Sequence, residues 1–185
     1  RPVLDEMRQT ARSIIILDHH KTAAADLADL QRPSGSYPGL GSMTALFDLE
    51  RSGAGITWDF FHPDKKRPKL IDHIEDRDLW RFALPFTREI QAAVFSYPYD
   101  FEVWDKLMDG DPQVLVGEGM AIERKHHKDV AELVGVTQRY MVIGGLRVPV
   151  ANLPYTLTSD AGHLMATKDE TKVGVCYWDT PGGRV

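Results

Sequence analysis

Residues 14–17 read Ile-Ile-Ile-Leu and run without a break into Asp18-His19-His20-Lys21. No other stretch restricts the fold as much. A short, unbroken aliphatic run is the pattern of a strand covered on both faces, which is how strands of parallel sheets are buried. The polar cluster then falls at the carboxyl end of that strand, where open α/β sheets place their ligand sites. An acid, two imidazoles and an ammonium at such a point suggest chemistry.

A chain of 185 residues, 43% of them apolar, is long enough for one ordinary domain or two small ones and can bury a substantial core. Cys176 lies in the apolar run 173–178, which fits a reduced core residue rather than a nucleophile. No segment approaches the roughly 20 apolar residues of a membrane span. A soluble, cytoplasmic protein without a membrane partner is expected. The net charge of −5, from 27 acidic and 22 basic residues, argues against coating long stretches of nucleic acid but not against short oligonucleotides. The acidic surplus suits carboxylates that await divalent ions, and it suits a solvated acidic surface equally well.

Along the chain, residues 1–12 have the spacing of a short amphipathic helix feeding the strand. Helix is expected over 22–30, a surface loop over 32–41, and a helix over 43–51 with Ser42 as its cap and Gly53 and Gly55 ending it. Pro68 opens a helix over 69–80 whose apolar stripe is Leu70, Ile71, Ile74 and Leu79. That helix also carries Asp72, Glu75, Asp76 and Asp78. Their repulsion requires Lys69, His73, Arg77 and Arg81 as counter-charges or, alternatively, a metal ion. Further helices are expected over 87–95 and 101–108, the second capped by Asp100. A long helix over 112–134 has a polar middle, 123–129, of the kind that bridges domains through solvent, and His126 and His127 read as part of its solvated face. Strands follow over 139–143, 146–151 and 172–178, the first two joined by Gly144-Gly145, with a short helix from Ser159 that contains His163.

Adjacent residues leaving a strand point to opposite sides, so His19 and His20 can serve one ion only if the backbone turns between them. One imidazole can bind a divalent metal while the other, or Lys21, meets an anionic substrate. Asp18 can accept a proton from the ligating ring and fix its tautomer, and Asp76 can add an oxygen ligand. The plain structural alternative is a helix-capping aspartate followed by two hydrogen-bonded histidines.

Residues 14–23, with the triplet continuing as Asp-His-His-Lys-Thr-Ala, resemble the DHH phosphoesterase superfamily. Together with Glu75-Asp-Arg-Asp-Leu-Trp80, the chain looks similar to its oligoribonuclease-like and cyclic-nucleotide-phosphodiesterase-like branch. The resemblance implies an α/β fold in three parts: the C-terminal part of a parallel-sheet DHH domain over 1–111, a linker helix over 112–138, and the start of a DHHA1-like mixed α/β substrate domain over 139–185. It implies Mn2+-dependent hydrolysis of short oligonucleotides to mononucleotides by two ions, with Mg2+ or Co2+ as substitutes. His19 and Asp76 would ligate metal, His20 would face the scissile phosphate with Lys21 and Arg77 as further substrate contacts, and Asp18 would support the site. A phosphomonoesterase acting on a bisphosphorylated nucleotide and a non-catalytic nucleotide-binding protein are the alternatives, and a homodimer is allowed. The family's two earlier aspartate motifs have no match in residues 1–12, and its glycine motif has none near Gly182-Gly183. The chain is therefore expected to be an interior piece of a longer enzyme, with little hydrolase activity by itself.

Overall fold

Parallel pairing begins where the aliphatic run places it, but the strand is not covered on both faces: of its residues Ile14 is buried and Ile15 is exposed. A computed structural model describes residues 2–31 and 43–184. In it a short helix, α1 (Pro2–Met7), precedes β1 (Ile14–Asp18) and α2 (Lys21–Asp26), the last continued by a 3-10 turn at Ala28–Leu30. β1 pairs in parallel with β2 (Met43–Phe47), Ile14 opposite Met43 and Asp18 opposite Phe47. The loop expected over 32–41 and the Ser42 cap lie outside the described residues.

The helix expected over 43–51 is instead this second strand followed by a turn. A five-residue apolar run does not distinguish strand from helix by periodicity. What decides is the ladder offered by β1, which takes up all five residues of β2 and leaves Thr44 and Ala45 buried. Gly53 and Gly55 do not end a helix but open one, α3 (Gly53–Phe61), where the Ser52 hydroxyl accepts the Gly55 N–H at 3.0 Å. A side chain at 55 would displace the Glu75 carboxylate, since a Cβ there would lie 2.2 Å from its Oε2.

The next helices match their patterns: α4 (Lys69–Asp78), α5 (Thr87–Val94) and α6 (Phe101–Asp109), with Asp100 accepting the N–H groups of Glu102 and Val103 at 3.0 and 3.2 Å. Leu70, Ile90, Ala93, Val94 and Leu115 form their shared core, with Ile74 and Trp104 against it. The chain divides into two compact units at Gly119/Met120, within the long helix α7 (Val116–Thr137). Gly119 belongs to the first unit, where α7 begins against α5: a Cβ there would stand 1.8 Å from the Glu89 carbonyl oxygen.

In the second unit, β3 (Arg139–Ile143) and β4 (Leu146–Asn152) form an antiparallel hairpin. Gly144 and Gly145 turn it at φ of +58° and +83°, values that side chains other than glycine seldom take. β5 (Val175–Tyr177), shorter than expected, adds in parallel to β4, and β6 (Asp179–Thr180) and β7 (Gly183–Arg184) form a small ribbon. Val130, Val134, Ala151, Leu153, Ala161 and Met165 make the core beneath α8 (Thr158–Lys168). Cys176 packs on this core with its thiol pKa pushed up by burial, as a reduced structural cysteine should be. His126 is not simply solvated: its Nε2 lies 2.9 Å from Asp160 on α8, while His127 pairs with Glu123 at 2.7 Å. The architecture is mixed α/β with a small parallel sheet and a mixed one. Among the described residues no helix is long and apolar enough to cross a membrane.

Because the carbonyl facing Gly119 is main chain and cannot swing aside, Gly119→Ala should lower stability by about 1–3 kcal/mol, the usual cost of overpacking. Urea denaturation of the variant against the wild type measures it.

Candidate functional site

β1 ends at Asp18, and the Asp18 carboxylate turns the chain. Its Oδ1 accepts the His19 N–H at 2.7 Å, the His20 N–H at 3.3 Å and the His20 ring Nδ1–H at 2.7 Å. This is the turn that a shared site requires, and His20 becomes the extended N-cap residue just before α2. The two imidazoles come to lie with centroids 4.5 Å apart. One ligand atom from each of Asp18, His19 and His20 falls within 4.8 Å of the others, and among the described residues no second group of three or more such side chains does so. The corner sits at the carboxyl ends of both parallel strands, since the Asp48 N–H that follows β2 donates to the Asp18 carbonyl at 3.2 Å.

The charges follow from these contacts. Burial works to raise the Asp18 pKa, but the hydrogen bonds from the His20 ring and from the His19 and His20 main chain outweigh it and hold the carboxyl below its ordinary range. The His20 pKa is raised, first by its hydrogen bond to Asp18 and by that carboxylate's charge, with Asp78 adding to the effect. A ring that donates from Nδ1 presents Nε2 outward.

Asp76 and Asp78, the last two of the four carboxylates on α4, take different roles. Residues two apart on a helix point about 200° apart, so only one of Asp76 and Asp78 can face the triplet. It is Asp78, whose Oδ2 lies 3.4 Å from His19 Nε2. Asp76 is buried and fully occupied: Oδ1 accepts the Ala83 N–H at 2.8 Å, and Oδ2 accepts the Leu84 N–H at 3.0 Å and the Thr87 hydroxyl at 2.6 Å. His73 Nδ1 in turn donates to Thr87 Oγ1 at 2.9 Å, and burial lowers the pKa of that imidazole and keeps it neutral. Lys21 is exposed in the first turn of α2, while the Arg77 guanidinium lies 4.9 Å from the centre of the Phe95 ring.

Several supporting residues escaped the sequence reading. Glu75 accepts the Ser52 N–H at 2.8 Å and Arg67 Nη1 at 3.0 Å. Arg67 also pairs with Asp59, and Arg51 joins Asp59 to Asp48 at 2.8 and 2.7 Å. Arg67 is thus the main counter-charge of α4. Lys69 goes to Asp111 at 3.2 Å, and Arg81 donates to the Glu50 carbonyl at 2.8 Å. Between α4 and α5, Trp80, Phe82 and Phe86 all have positive φ, at +55°, +48° and +64°. For residues other than glycine each such conformation costs about 1–2 kcal/mol.

No family model matches the chain, and no solved structure matches it. An uncharacterized protein of Acanthamoeba polyphaga mimivirus is 36% identical over 107 residues, a stretch that covers 58% of this chain and 23% of that protein. The chain thus spans less than a quarter of the length of the curated relative that it matches.

Asp76→Ala strands two main-chain N–H groups and a hydroxyl, and should cost about 3 kcal/mol in denaturant unfolding. Asp76→Asn should cost less and reveal the charge. Burial tends to raise the Asp76 carboxyl pKa, but its three hydrogen bonds hold it below 3.8, so its ionised form stabilises the fold above that pH. The wild-type advantage over Asp76→Asn should stay level at neutral pH and fall away as pH drops through the native value.

Proposed function

We propose that the Asp18–His19–His20 corner holds a divalent ion, Mn2+ first among candidates, and serves hydrolysis of phosphodiester bonds in short oligonucleotides to mononucleotides. The observation that carries this reading is the convergence of a carboxylate and two imidazoles at the carboxyl end of a parallel strand pair. The donor set fits the ion: oxygen and imidazole ligands together suit Mn2+ and Co2+ better than Mg2+, which prefers oxygen alone. With Oδ1 of Asp18 taking three donors, Oδ2 is the oxygen better placed to meet an ion, and Asp78 beside His19 is a further carboxylate within reach. A bound divalent ion supplies Lewis acidity at a phosphoryl oxygen and lowers the pKa of a bound water.

The chain's own residues do the rest. Asp18 takes the Nδ1–H of His20 and so fixes the neutral tautomer whose Nε2 carries the lone pair that an ion needs, while an anionic phosphate oxygen is met from outside this ligand set. Lys21, next in the chain, adds an ammonium for the same anion. Asp76 acts through its hold on the 79–87 segment rather than on the ion. Nucleotide binding without hydrolysis is favoured by one observation: the described residues bring together three ligating side chains and Asp78, fewer than a two-ion centre uses.

Manganese binding followed by electron spin resonance, together with release of mononucleotides from a dinucleotide, tests both readings. His19→Ala should weaken Mn2+ binding by at least about 10–100-fold, the cost of losing even a supporting group at a metal site. Binding left intact by His19→Ala would sink the metal assignment. Because little cleavage is expected of residues 1–185 by themselves, intact binding without dinucleotide cleavage selects the binding reading only when the full-length protein is assayed.

A further inference from the structure

Two aromatic side chains stand just beyond Asp78 on a backbone that does not suit them. Trp80 and Phe82 adopt φ of +55° and +48°, a region that bulky residues rarely enter. Their rings meet edge to face with centroids 5.1 Å apart, and the Arg88 guanidinium lies 3.6 Å from the centre of Phe82 and 5.8 Å from that of Trp80. Trp80 is still 37% exposed. Glycine would hold the same turn without strain, so the turn does not require the indole. Core packing does not account for it either, because neither ring belongs to the cluster of Leu70, Ile90 and Val94. Strain that the surrounding structure holds in place is a mark of functional positions.

This segment starts next to a residue that reaches the triplet. Asp78, two residues before Trp80, is 3.4 Å from His19, and Arg81, one residue after it, donates to the Glu50 carbonyl in the turn that follows β2. An exposed indole supported by a second ring and a guanidinium is a surface on which a nucleobase stacks.

We propose that Trp80, braced by Phe82 and Arg88, stacks the base of the nucleotide whose phosphate is held at Asp18–His19–His20. The inference rests on the phosphoester reading above and narrows it. The ligand is a base-bearing nucleotide, and base-free phosphoesters and pyrophosphate bind without this contribution.

Calorimetry with Mn2+ should compare adenosine 5′-monophosphate with ribose 5-phosphate on the wild type, Trp80→Gly, which keeps the turn, and Trp80→Phe, which keeps a ring. The wild type should prefer the nucleotide by about 5- to 150-fold, the range of one base–aromatic stack. That preference should vanish in Trp80→Gly and survive in Trp80→Phe, with circular dichroism confirming that both variants are folded. A preference that persists in Trp80→Gly, or that is absent from the wild type, overturns the assignment of Trp80. If instead neither phosphate ligand binds, the phosphoester reading has failed, and adenosine alone decides the stack. Quenching of tryptophan fluorescence by adenosine that disappears in Trp80→Phe supports it, and no quenching overturns it.

Discussion

The Asp76 carboxylate, together with its own main-chain carbonyl, holds the segment that joins α4 to α5. The side chain satisfies the N–H groups of Ala83 and Leu84 and the Thr87 hydroxyl, while the Asp76 carbonyl oxygen accepts the N–H groups of Arg81 and Phe82 at 2.8 and 3.2 Å. One residue therefore binds five donors of the segment that leads into α5. A hydrogen bond to a buried charge contributes about 1.5–3 kcal/mol, which offsets the roughly 1–2 kcal/mol strain of one residue at positive φ. That balance is what allows Trp80, Phe82 and Phe86 to stand where glycine would be ordinary. It also sets the end of α4, from which Asp78 reaches His19 and Arg81 reaches the turn after β2.

Much of this was legible in the sequence where a local pattern decides the outcome. The Ile14–Leu17 run is a strand beside a parallel partner, Asp100 caps α6, and Gly144-Gly145 turns the hairpin, each from a few neighbouring residues. What was not legible depends on distant partners. Met43–Phe47 is apolar enough for helix or strand, and only the β1 ladder chooses. Gly53 and Gly55 look like helix breakers until Ser52 and Glu75, 23 residues apart, fill the start of α3, where a side chain at 55 would displace the Glu75 carboxylate. Asp76 and Asp78 are chemically identical, and the helix phase that separates them is fixed by how α4 packs through Leu70 and Ile74.

The counter-charges show the same limit. Four acids in seven residues require cations, and the nearest in sequence are Lys69, His73, Arg77 and Arg81. Arg67 takes the main role because its planar fork grips Asp59 on α3 through Nε and Nη2 while Nη1 reaches Glu75 on α4, a bidentate hold that an ammonium cannot make. His73 is a poor counter-charge, since burial lowers its pKa and favours the neutral ring.

Asp18 and Asp76 use one chemistry to different ends. Both are carboxylates that accept main-chain N–H groups and fix the chain where an element ends. Asp76 is buried, and its partners are structural, so exchanging them for an ion would release the segment between α4 and α5. Asp18 is only partly buried, takes its three donors on a single oxygen and holds an exposed imidazole. An ion approaching Asp18 can use the other oxygen and need not break the turn. That difference in burial and occupancy, rather than residue type, is the physical reason to seek the ligand corner at the end of β1 and to assign the buried acid of α4 to the scaffold.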